Sequence, residues 1–159
     1  MDNLIIRKAR EGELKSVQEL NQELFVHDEE FDPLLNIDWP FEKSGEEYFK
    51  DKISGKEGVC FVAEVDKEIV GYLVGGMMKT YSYRKIKKQS ELENILVKEN
   101  FRGQRLGEKL FQEFIKWSKE KGVDRIKVCA YSQNHGAINF YKRIGFVPYE
   151  INLEYEVVK

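Results

Sequence analysis

The order of elements along this chain predicts an α/β fold, a mixed sheet with helices on both faces. Three observations carry that prediction. VCFVAEV and EIVGYLVGGMM, joined by Asp66-Lys67, read as two antiparallel strands with a tight turn. SELENILV and DRIKVCAYS enclose an amphipathic helix, so these two strands should lie parallel with a right-handed crossover. No linker, repeat or second core interrupts the pattern, and 159 residues suit one domain over 1–159.

The elements follow in order. Residues 4–7 read as a short opening strand. Leu14, Val17, Leu20, Leu24 and Phe25 then place one apolar face on a first helix. HDEEFDPLLNIDWPF is a polar, aromatic and proline-broken loop. Ser44-Gly45-Glu46-Glu47 has the form of a capping box, with Tyr48, Phe49 and Ile53 as the buried stripe of a second helix. After the hairpin comes the basic loop YSYRKIKKQ, then the strand SELENILV and a glycine-containing turn. Leu106, Leu110, Phe111, Phe114 and Ile115 mark the third helix, ended by Gly122 as a C′ glycine. The strand DRIKVCAYS and the short helix AINFYKRI, closed by Gly145, lead to FVPYEINLEYEVV, which reads as one or two final strands.

Composition narrows the function classes. A net charge of −2 exerts no global pull on nucleic acid or anionic membrane. No apolar run reaches the roughly 20 residues of a membrane span, and MDNLIIRKAREGEL turns charged too early for a signal peptide. Cys60 and Cys129 lie in apolar strand-like runs and read as buried free thiols. With only two histidines, no metal set forms. A reducing cytoplasm fits these features.

The turn Arg102-Gly103-Gln104-Arg105-Leu106-Gly107 joins a strand to a helix. Such a junction aims backbone N–H groups and the positive helix end at one spot, an anion site. Lys98, Arg102, Arg105 and Lys109 concentrate positive charge there in a slightly acidic chain. A nucleotide P-loop needs four residues between its glycines and then Lys-Ser/Thr. Here three separate Gly103 from Gly107, and Glu108 follows. The G-x-G-x-x-G dinucleotide spacing is also missing at this junction. The plainer alternative is a helix start whose basic side chains face water.

ELENILVKENFRGQRLGEKLF resembles the acetyl-CoA-binding core of the GCN5-related N-acetyltransferases (GNAT), strand then Arg/Gln-x-x-Gly-x-Gly/Ala. Arg102 and Gly107 take its first and last places, while Arg105 replaces the middle glycine. NHGAINFYKRIGF, residues 134–146, is similar to the same family's Asn-x-x-Ala-x-x-Phe-Tyr-x-x-x-Gly-Phe without a gap. The resemblance implies a single-domain GNAT-like fold. Its sheet would be mostly antiparallel, with a central parallel pair splayed at the acetyl-CoA site.

It also implies roles. Backbone near Leu96 and Val97 would pair with the pantetheine arm as an added strand. The N–H groups from Arg102 through Gly103, Gln104, Arg105 and Leu106 to Gly107 would hold the diphosphate. Asn134 and Tyr141 would line the wall near the thioester, with Tyr141 as the acid that protonates the departing thiolate. Glu93 is the candidate base: several family members carry a carboxylate at its place in the strand. Period-two alternation puts it with Glu91, Ile95 and Val97 on one face unless a bulge intervenes. A solvated strand-end carboxylate is the plain alternative for Glu93, and simple packing is that for Tyr141.

Asp28, Glu29, Glu30, Asp32 and Asp38, interleaved with Phe31, Trp39 and Phe41, suit a cationic amine acceptor or merely a solvated acidic loop. His27 and His135 read as surface residues. The expected activity is acetyl transfer from acetyl-CoA to a primary amine, on a small molecule or on a protein N-terminus or lysine. A non-catalytic acyl-CoA sensor is the rival, kept open by Arg105. Exposed terminal strand edges invite homodimerisation.

Overall fold

The computed structural model describes residues 3–158, which form two compact units dividing after Cys129. The first holds strands β1 (Leu4–Lys8), β2 (Gly58–Val65), β3 (Glu68–Met78), β4 (Gln89–Val97) and β5 (Arg125–Val128), and helices α1 (Leu14–Asp28), α2 (Lys43–Ser54) and α3 (Leu106–Glu120). The second holds α4 (His135–Arg143) and the chain after it.

The sheet runs β1-β2-β3-β4-β5, antiparallel except for the β4–β5 pair. Its hairpin works as the sequence predicts. Asp66 and Lys67 both take positive φ, 49° and 70°, as the turn that follows strand twist demands. Cys60, Val62, Tyr72, Val74 and Leu96 bury one face beneath Val17 and Leu20 of α1 and Phe49 of α2. The opposite face takes α3, whose Leu106, Leu110, Phe111, Phe114 and Trp117 are buried. There Gly75 makes room, since a Cβ would stand 2.5 Å from the Phe114 ring, and Ser90 meets Ser118 at 3.0 Å. Gly122, at φ 72°, closes α3 with Val123 N–H donating to Ser118 C=O.

Five expectations are corrected. α2 begins at Lys43 with Glu42 as N-cap and no capping side chain, so Ser44 caps nothing. Gly45 sits there because the helix presses on the preceding turn: a Cβ would stand 2.0 Å from the Trp39 carbonyl oxygen. The strand expected over 124–132 ends at Val128, and Cys129 beyond it is exposed. Cys60 is buried as expected, and burial pushes its thiol pKa up. Residues 146–158 form no strand, although Val147, Tyr149, Ile151, Leu153, Tyr155 and Val157 alternate with polar residues. Alternation selects a face, but a strand also needs a ladder partner for its backbone. Finally, the alternation expected along β4 is broken. Its register steps from Val74↔Asn94 to Gly75↔Leu92, which leaves Glu93 as the extra residue of a bulge.

No helix among the described residues is long and apolar enough to cross a membrane.

Candidate active site

β4 positions the site. Its parallel pairing with β5 runs from Gln89↔Arg125 to Leu92↔Val128 and stops at the bulge. From Glu93 to Val97 the strand goes on without a β5 partner, so its β5-facing backbone opens there. Lys98 N–H donates to Val70 C=O at 2.8 Å. By the ladder's alternation, Leu96 turns its backbone groups to β3 and Val97 turns its own outward. The Val97 carbonyl accepts from Arg102 Nε at 2.9 Å.

The chain then makes a 3-10 turn at Glu99–Phe101 and enters α3 through residues 102–105. Gly103 takes φ 76° with nothing within 4 Å of its would-be Cβ, so conformation, not space, demands glycine. Arg105, in the place where the family pattern has glycine, is the N-cap of α3. It takes the left-handed conformation at φ 62°, ψ 20°, which costs a side-chain-bearing residue about 1–2 kcal/mol. Its side chain pairs with Glu108 at 2.8 Å.

No N-cap side chain bonds the first turn of α3. The N–H groups of Leu106 and Gly107 therefore have no intrahelical acceptor and no cap. Basic charge at the turn is partly spent: Lys98 pairs with Glu68 at 2.7 Å, besides the bonds of Arg102 and Arg105. What the turn offers an anion is chiefly backbone.

Glu93 stands on different ground. The bulge brings it to the α2 side of the sheet, with Asn94 and Leu96, while Ile95 and Val97 face the other way. One carboxylate oxygen accepts from Lys52 Nζ at 2.6 Å, the other from the Tyr48 hydroxyl. Asn94 Nδ2 also reaches Tyr48 Oη at 3.5 Å. Lys52 and Glu93 side chains are only 12% and 24% exposed, so this is a half-buried, charge-assisted cluster. Burial, then the charge of Glu93 and its hydrogen bond, push the Tyr48 pKa well above the ordinary tyrosine value. Tyr48 is thus a donor that stays protonated. Trp39 braces its ring at 5.3 Å.

Nothing in the sequence marked Lys52 beyond its place four residues after Tyr48, on the same face of α2. Gly76 was likewise silent. A Cβ there would lie 2.7 Å from Lys52 Nζ and 3.4 Å from a Glu93 carboxylate oxygen.

Asn134 and Tyr141 belong to the second unit. Asn134 is the N-cap of α4, its Oδ1 accepting from Ala137 N–H at 3.0 Å. Tyr141 packs its ring against Phe140 and Phe146, with centroids at 5.4 and 5.7 Å. In the acidic loop several groups are locally engaged: Asp32 accepts from Leu34 N–H and Asp38 from Gln22. Trp39, half-buried, lies against Phe25, Tyr48 and Phe49.

Residues 14–146 match the family described as "Acetyltransferase (GNAT) family". The chain is 32% identical over 104 residues to an uncharacterized N-acetyltransferase of Methanocaldococcus jannaschii, covering 65% of this chain and 46% of that one. It therefore spans under half the length of that relative. An N-alpha-acetyltransferase of Sulfurisphaera tokodaii is 30% identical over 113 residues, 68% of each chain. A thialysine N-epsilon-acetyltransferase of Sus scrofa is 26% identical over 156 residues, 91% of this chain and 85% of that. The structure of AAC(6')-Iy with the bisubstrate analog CoA-S-monomethyl-acetylneamine superposes with a TM-score of 0.77 over 99% of both chains. At 16% identity that likeness concerns the fold alone.

Proposed function

The chain belongs to the acetyltransferase (GNAT) family, and from that premise we propose that it moves an acetyl group from acetyl-CoA to a primary amine. The transfer goes by direct attack in a ternary complex, on a single domain. The observation that carries the reading is the uncapped start of α3, entered through Gly103 and a left-handed Arg105. A diphosphate supplies the acceptors that those N–H groups lack. The outward backbone of β4 beyond the bulge suits an extended pantetheine arm.

The chemistry needs a free amine and a leaving thiolate. An alkylammonium of pKa near 10.4 costs about 4–5 kcal/mol to deprotonate at neutral pH. Glu93 accepts that proton, directly or through water. The amine nitrogen bonds to the thioester carbon, the carbon–sulfur bond breaks, and the sulfur takes a proton. Tyr141 is the donor assigned by its place in the second motif, and a tyrosine near pKa 10 is protonated at pH 7.

The acceptor we favour is a small cationic amine, in line with the acidic loop over residues 28–38 and with the thialysine-acetylating relative. A protein N-terminus is the second reading, favoured by the relative named as an N-alpha-acetyltransferase. The test is CoA release from acetyl-CoA against polyamines, aminoglycosides, free amino acids and short peptides. Release that depends on a small amine supports the proposal, and release only with peptides moves the acceptor to the second reading. Acetyl-CoA binding without release for any amine would make the protein a sensor.

A further inference from the structure

We propose that Lys52 and Tyr48 are positioning residues for Glu93, two donors on one face of α2 that fix both carboxylate oxygens, with Gly76 as the gap that admits Lys52 beside Glu93. The inference rests on the reading of Glu93 as the base.

A residue at a β-bulge is the least constrained place on a strand from which to present a base, since the ladder that would orient it is interrupted. Here the restraint comes from outside the sheet. Lys52 Nζ holds Oε1 at 2.6 Å and the Tyr48 hydroxyl holds Oε2. A carboxylate offers about four acceptor sites, so these two bonds leave others for an incoming amine or water. The donors are themselves held. Lys52 lies over the Tyr48 ring at 5.1 Å, and Tyr48 meets Phe49 edge-on at 4.9 Å and Trp39 at 5.3 Å. Phe49 is fully buried in the core, so the chain of contacts from core to carboxylate is continuous. The ammonium also offsets the charge of a carboxylate only 24% exposed, which unpaired would favour turning toward water.

On the other side, β3 leaves a slot. Any side chain at Gly76 would press on Lys52 and Glu93 together.

The test compares Lys52→Met, Lys52→Arg, Tyr48→Phe, Glu93→Gln and the double variant Lys52→Met/Glu93→Gln, using the best acceptor amine. Lys52→Met should lower kcat about tenfold to a hundredfold, as misplacement of a reacting group by an ångström does. Its acetyl-CoA Kd should stay near wild type, while its melting temperature falls because a half-buried carboxylate loses its partner. Lys52→Arg, which keeps charge and donors in a bulkier head, should lose less of the rate than Lys52→Met. The double variant should be no slower than Glu93→Gln alone, because Lys52 acts only through Glu93.

Two failures are distinct. If Glu93→Gln turns over like wild type, the base reading falls and takes this inference with it. If Glu93→Gln is slow but Lys52→Met is not, or if the two losses add, Lys52 does not position Glu93 and the base reading stands. Should Lys52→Met not fold, Tyr48→Phe removes one donor and keeps the ring. A full-speed Tyr48→Phe would then overturn the inference.

Discussion

The turn at residues 102–107 and the cluster around Glu93 hang on the same strand but are made of different materials. The turn is exposed backbone: Gly103 at positive φ, Arg105 left-handed, helix N–H groups without a cap, and basic side chains drawn off to Glu68, Val97 and Glu108. The cluster is half-buried side chain, in which a bulged glutamate, a tyrosine and a lysine meet from β4 and α2. A site of local backbone can be carried by a short motif. A site of side chains from distant segments depends on the packing that brings them together. On the function proposed, the difference would also divide the labour, with affinity for the donor at the turn and proton transfer at the cluster.

The largest expected effect tests the first half of that division. Gly107→Trp should weaken acetyl-CoA binding at least about a hundredfold by calorimetric titration, because it fills the space a diphosphate needs beside the helix start. Unchanged affinity would move the donor elsewhere. Next, Tyr141→Phe should lower turnover about a hundredfold while acetyl-CoA affinity holds, the loss expected of a missing general acid. Equal rates would reduce Tyr141 to a packing residue between Phe140 and Phe146.

Gly76→Ala sharpens the comparison from the cluster's side. Its Cβ would meet Lys52 Nζ at 2.7 Å and the Glu57 carbonyl oxygen at 2.9 Å. Overpacking of this kind costs about 1–3 kcal/mol, read as a lower denaturation midpoint. Turnover should fall about tenfold through the displaced cluster. Donor affinity should not change.

Arg105→Gly has the smallest expected effect. Relief of the left-handed strain, about 1–2 kcal/mol, is offset by glycine's freedom in the unfolded chain and by loss of an exposed ion pair. Stability should therefore stay within about 1 kcal/mol, with donor affinity little changed. A tenfold weaker affinity would mean that the guanidinium, not the backbone, meets the anion.

What the sequence made legible follows the same divide. The hairpin at Asp66-Lys67 and the Gly122 stop are written in adjacent residues, and the structure forms both as read. The amphipathic stripe of α3 was equally plain, because its buried residues recur every turn. Glu93 could be singled out along the chain, but its surroundings could not. Tyr48 and Lys52 lie more than forty residues upstream and meet it only after α2 packs on the sheet.

The bulge that sends Ile95 and Val97 to the other face has no sequence signature of its own, so period-two counting kept Glu93 with Glu91 but also gave it two neighbours it does not have. Trp39 shows the same dependence on packing: nothing in the loop's sequence told that it stacks behind Tyr48 and Phe49. The tail over 146–158 shows the limit of periodicity most clearly, since a strand pattern without a ladder remains a pattern.

The measurement that tests the division of labour most directly is made on Glu93→Gln: acetyl-CoA affinity by calorimetry beside turnover with the best amine. The account predicts wild-type affinity with turnover down about a hundredfold. Donor affinity lost in step with turnover, or turnover that does not fall, would contradict it.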